Sequence, residues 1–375
     1  MSGIYLHIPY CSRACSYCDF HFSTSLNTLP RMMDIMREEL FLRRNYLDNS
    51  PVKSIYIGGG TPSLLSLGQI EVLLKDIETH YGIRDVQEIT MEVNPENLRL
   101  NYLRELRNLG INRLSIGIQS FQEDHLRRLR RTHNVRQAHQ AIDYARHSGF
   151  DSFSIDLIYG IPAPSHKHWQ KDLEQVLDYH PPHISAYALS LEPHTLLYHQ
   201  AQKKIFIPAS EEFVEEQFHQ LHNTLSQDGY EHYEVSNFAL NMQYAQHNTL
   251  YWQNKKYLGI GPSASSYDLK TRQSNIKSNA GYLKCMREKK NPWIREKLSP
   301  EQKYQEYLLT HLRTKWGVKR SELNLLFPSP NHQRIWEKEV FHLTKHGYLV
   351  EDKGSIRVLP QKWIVLDSLV ERLAM

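Results

Sequence analysis

Cys11, Cys15 and Cys18 form a C-x3-C-x2-C run, so three of the four cysteines lie within eight residues. Soft thiolates at that spacing, in a loop after a short apolar strand, can wrap one face of an iron–sulfur cluster or a zinc ion. Three ligands close neither site. A cubane held by three cysteines leaves one iron for a chelating small molecule, whereas zinc would recruit a fourth ligand such as His7 or His21. Buried apolar filler, or a redox pair with a spare, is a third reading. Cys285 stands alone and reads as a structural thiol.

Other residues with chemical potential follow at intervals. Gly58-Gly59-Gly60-Thr61 is a turn whose main chain can approach a ligand without side-chain interference. Glu92 and Asn94 close one apolar run, Gln119 another and Ser190 a third, and Asp156 lies inside a fourth. A carboxylate in such a strand must be paired or face a ligand to offset desolvation. Arg127, Arg128 and Arg130 read as a solvated helix face, and His247, among aromatics, as a core histidine.

Parallel strands must position these groups. Short apolar runs at 4–8, 54–57, 89–93, 113–118, 153–158 and 184–189 predict strands, separated by helical patterns at 31–44, 67–80, 98–109, 135–147 and 168–179. Alternating strand and helix over this length implies right-handed crossovers and a partial or complete βα barrel. All strand carboxyl ends then face one side, so the polar residues recurring there converge on one mouth.

The string Tyr5-x-His7-Ile8-Pro9-Tyr10-Cys11-x3-Cys15-x-Tyr17-Cys18 resembles the cluster motif of radical S-adenosylmethionine (SAM) proteins. It is most similar to the oxygen-independent coproporphyrinogen III oxidase group, which includes HemW-type heme chaperones. The resemblance implies a (β/α)6 partial barrel in which Cys11, Cys15 and Cys18 hold a [4Fe-4S] cluster. By the same resemblance Gly59, Gly60, Thr61, Glu92, Gln119, Tyr5 and Tyr17 surround SAM, and Arg131, Asp156, Ser190 and Ser265 extend that constellation. His247-Asn248-x-x-Tyr251-Trp252 resembles a heme-binding motif, in which the imidazole ligates iron and aromatic faces stack on the macrocycle. Phe20 stands where the oxidase branch carries a further cysteine. The implied function is therefore a heme chaperone delivering heme to acceptor hemoproteins, respiratory and membrane-associated ones among them. Oxidative decarboxylation of coproporphyrinogen III propionates is the alternative. One departure is Ser263 and Ser265, in place of a glycine and a histidine usual in such proteins.

With 375 residues and 40% apolar content the chain can fill a barrel and a smaller domain. The expected division is a core barrel at 1–240, a heme-motif segment and connector at 241–298, and a winged-helix-like domain at 299–375, with helices near 301–315 and 336–346 before a hairpin. A net charge of +4 gives no case for nucleic acid. No apolar run spans a membrane, no signal-peptide pattern opens the chain, and four cysteines make no disulfide framework, so a cytoplasmic location is expected. A homodimer is a further implication of the resemblance.

Overall fold

Short aliphatic and β-branched runs become the strands of a computed structural model that describes residues 1–374. Strands β1 (Ser2–Ile8), β2 (Val52–Gly59), β3 (Glu88–Val93), β4 (Arg113–Gln119), β5 (Ser152–Tyr159) and β6 (His183–Ala188) pair in parallel, in chain order. Amphipathic helices join them; two begin with capping boxes, Ser66 with Gln69 and Asn134 with Gln137, which satisfy donors that a helix start leaves free.

Later strands extend the sheet at both edges. β7 (Glu231–Glu234) and β8 (Asn237–Ala239) form a hairpin that pairs antiparallel with β6 through β8. β9 (Lys256–Ile260) lies parallel to β1, and β10 (Ser265–Tyr267), β11 (Thr271–Asn275) and β12 (Trp293–Lys297) continue antiparallel beyond it. The sheet therefore runs through twelve strands, and residues 256–297 belong to it rather than to a separate connector. Glu39, on helix Leu29–Leu42, binds this extension. Its buried carboxylate pairs with Arg43 at 3.2 Å and accepts from Gly261 N–H, Asn275 Nδ2 and Tyr282 O–H.

The amino ends of the strands are closed by helix Gln246–Trp252. Its first N–H groups, of Gln246 and His247, donate to the Glu88 carboxylate at 2.9 and 3.0 Å, which places negative charge at the positive helix end.

The chain ends in helices Pro300–His311, Arg320–Leu323, Pro330–Lys345 and Leu366–Ala374 around a small sheet of β13 (Val318–Lys319), β14 (Leu349–Asp352) and β15 (Ser355–Val358). This module covers the outer edge of β7: Val235 N–H donates to Arg313 C=O, Lys315 N–H to Tyr233 C=O, and Glu234 bridges to Thr314. A paired edge cannot template another chain. The apolar core runs unbroken from Ile4 to Leu373, through the expected boundary at residue 299. No helix among the described residues is long and apolar enough to cross a membrane.

Candidate cofactor site at the strand carboxyl ends

The six parallel strands surround a cavity of about 380 Å³ at their carboxyl ends. Cys11, Cys15 and Cys18 line it from the loop after β1, facing the Gly59-Gly60-Thr61 turn after β2. The β1–β2 register sets Ile8 beside Gly59, and Gly60 and Thr61 N–H then donate to Ile8 and Tyr10 C=O at 2.9 and 2.7 Å. Glycine is required there. Gly59 has φ +106°, and a Cβ on Gly60 would lie 2.5 Å from Tyr10 O.

Carboxylates and their partners form the inner wall. Glu92 accepts from Tyr56 O–H at 2.9 Å and from Gly59 N–H at 3.0 Å. Burial, with help from the charge of Asp156, raises its pKa to about 7. Asp156 accepts from Ser115 at 2.6 Å and Ser154 at 2.8 Å; burial raises its pKa too, against those hydroxyl bonds. Arg131 lies against the ends of β3 and β4, with Nη1 3.4 Å from Cys15 Sγ and Nη2 donating to Asn94 Oδ1 at 2.8 Å and Gly117 O at 3.0 Å, while its buried Nε has no partner. The helix Glu123–Arg128 aims it: Arg130 adopts φ +58°, and Arg131 N–H caps back to Leu126 C=O at 2.9 Å.

These residues fit an iron–sulfur cluster better than zinc. Both candidate fourth zinc ligands are engaged: His7 has Nε2 2.8 Å from His21 O and Nδ1 3.0 Å from Tyr5 O–H, and His21 Nε2 lies 2.8 Å from Asn279 Oδ1. Among the described residues, no three His, Cys, Asp or Glu side chains are grouped to hold a single ion. The three thiols line the same cavity, and a cation, Arg131, lies 3.4 Å from Cys15 Sγ. Burial pushes Cys11 up to about 11 and Cys18 up to about 12, so their thiolates need a compensating positive centre.

Of the residues expected around SAM, Tyr17, Gly59, Gly60, Thr61, Glu92, Gln119, Arg131, Asp156 and Ser190 line the cavity. Two do not. Tyr5 lies a layer deeper, its ring 6.0 Å from Tyr56 and 6.4 Å from His247, with its O–H turned to His7. Ser265 sits on β10 with its hydroxyl 3.3 Å from Ser274 Oγ, outside the cavity. Tyr56, Ser115 and Tyr187 also line it and were not expected. Tyr56 is two positions from Gly58 on β2 and Ser115 is four from Gln119 on β4, so counting in twos along those strands finds them, whereas Tyr187 on β6 had no such signal.

His247 lies at the other end of the barrel. Its ring is buried, with Nδ1 2.7 Å from Ser54 Oγ and Nε2 2.8 Å from Tyr251 O–H, so in this fold both nitrogens are occupied and neither faces the cavity. Burial lowers its pKa to about 3. The expectation of a free axial ligand meets a satisfied core imidazole, because a small helix end has been turned into the barrel base. Asn248, Tyr251 and Trp252 are half-buried on the same helix, and Trp252 Nε1 is buried without a partner.

A strand-end cavity that combines a three-cysteine loop with a glycine turn defines the class of protein. Residues 5–176 match the Radical SAM superfamily model. The chain is 31% identical to heme chaperone HemW of Lactococcus lactis over 99% of this chain and 97% of that one, and 31% identical to heme chaperone HemW of Haemophilus influenzae over 98% and 97%. The fold is that of Escherichia coli coproporphyrinogen III oxidase (HemN), a radical SAM enzyme, with a TM-score of 0.85 at 23% identity over 100% of this chain and 90% of that one. The chain belongs to the HemW family of the radical SAM superfamily, a family that carries a [4Fe-4S] cluster and SAM.

Proposed function

We propose that this protein is a heme chaperone, binding heme and passing it to acceptor hemoproteins in the cytoplasm or at a membrane surface. The observation that carries the reading is full-length similarity to HemW relatives, joined to a cavity that keeps the cysteine loop, glycine turn and acidic wall together. Cys11, Cys15 and Cys18 would hold the cluster; Glu92, Gln119 and the main chain of Gly59 and Gly60 would hold SAM. When bound, that pair supplies one-electron chemistry or a structural and sensing state. The chain itself supplies position and exclusion of water.

Heme titration of anaerobically reconstituted protein tests the reading. A saturable Soret shift at one equivalent supports it, and no shift refutes it. Heme ligation by His247 requires helix Gln246–Trp252 to give up the imidazole's two hydrogen bonds, so a Soret band unchanged in His247→Ala removes that assignment. Incubation with SAM, reductant and coproporphyrinogen III tests the alternative. Protoporphyrin formed at catalytic turnover would replace the chaperone reading with an oxidase.

A further inference from the structure

Next to the cysteine cavity lies a second groove, of about 540 Å³, lined by Arg127, Arg128 and Arg130 together with Leu197, Ile205 and Ile207. Arg130 lines both concavities, so the groove opens on the rim of the first. Its apolar side is unusual for a surface: Ile205 and Ile207 are 70% and 76% exposed. They are nevertheless held in place, because buried Phe206 lies between them and the N–H groups of Ile205 and Phe206 donate to Gln200 C=O at 2.9 and 3.2 Å. Asp124 pairs with Arg127, and Arg128 donates to Pro162 C=O, which leaves the groove with more positive than negative charge. The guanidinium of Arg130 has no partner among the described residues.

A ligand complementary to this groove is flat and apolar, with carboxylates on one edge. Guanidinium groups hold carboxylates in paired hydrogen bonds, and exposed isoleucines gain from covering an apolar face. The size falls within the range of roughly 300–1,000 Å³ that small-molecule pockets occupy. Resting on the chaperone reading above, we infer that this groove seats heme, with the macrocycle over Ile205 and Ile207 and the propionates on the arginines. A bilayer would meet a convex apolar tip; here the arginines and isoleucines line one concavity. The lining holds no histidine, methionine or cysteine, so the groove binds the porphyrin rather than its iron.

The test uses full-length reconstituted protein and two exposed double variants, Arg127→Glu with Arg128→Glu and Ile205→Ser with Ile207→Ser. Unchanged cluster absorbance certifies folding. Each pair should weaken heme binding about tenfold or more, metal-free protoporphyrin IX should compete with heme within about threefold, and protoporphyrin dimethyl ester should bind about tenfold more weakly. Wild-type affinity in both variants, or equal binding of the ester, overturns the assignment. So does loss of co-sedimentation with phosphatidylglycerol vesicles while heme binding is unaffected, which would make the patch a membrane contact. Absence of heme binding by the wild type defeats the chaperone reading itself.

Discussion

Glu92 is a carboxyl poised to change charge near neutrality, because burial raises its pKa to about 7 while Tyr56 and Gly59 donate to it. SAM carries cationic ammonium and sulfonium groups, which favour the carboxylate. With Glu92 holding SAM as proposed, binding displaces a proton below pH 7, and affinity should fall by up to about tenfold per pH unit on that side. Calorimetric titration between pH 6 and 8 reads this, and Glu92→Gln should be weaker and flat after the ligand's own titration is subtracted. Gly60 offers a steric counterpart. Its Cβ would meet two main-chain oxygens, Tyr10 O at 2.5 Å and Ile8 O at 2.8 Å, so neither neighbour can swing aside. Gly60→Ala should cost about 1–3 kcal/mol and loosen the cysteine loop, seen as a lower melting temperature and poorer cluster retention.

At the scale of elements, the sheet depends on a buried ion pair. Glu39 lies on helix Leu29–Leu42 and Arg43 caps its end, yet their remaining bonds go to Gly259, Gly261, Gln273, Asn275 and Tyr282 around β9–β11. Removing one partner strands the other charge in the core. Glu39→Ala should lose about 3–5 kcal/mol in urea unfolding, and β9 to β12 should lose amide-exchange protection first. The six parallel strands were legible from their apolar runs; β5, for instance, spans Ser152–Tyr159 where 153–158 was expected. The β7–β8 hairpin was not, because its turn, Val235-Ser236 between the paired Glu234 and Asn237, holds no glycine or proline. Nor did sequence show that residues 256–297 rejoin the sheet, since pairing of β9 with β1 is a contact between distant segments without local pattern. The same limit governs the site. Cysteine spacing and strand-end polarity located most of the cavity, whereas the depth of Tyr5 and the buried setting of His247 depend on how far each side chain stands from the barrel mouth.

The whole molecule should have a stability maximum near neutral pH. Burial lowers His7 and His125 to about 4 and His232 and His247 to about 3, so these rings stay neutral in the fold while the unfolded chain takes up protons below about pH 6.5. Their contribution is complete above that pH and is lost as pH falls. Glu234, Glu92 and Asp172 act with opposite sign: burial raises them to about 8, 7 and 6, so their contribution is complete at acid pH and is lost as pH rises through those values. Urea unfolding of the metal-free protein from pH 4.5 to 9 should give a dome, with Glu234→Gln flattening its alkaline side and His232→Gln its acid side.

Helix Gln246–Trp252 stoppers the barrel at its foot, with His247 wedged against Ser54 and Glu88 clasping the helix start. A vessel plugged below fills and empties over a single lip. Cofactor must then enter and leave by the same doorway, and anything docked across its rim at Arg130 would bar fresh S-adenosylmethionine until it departs.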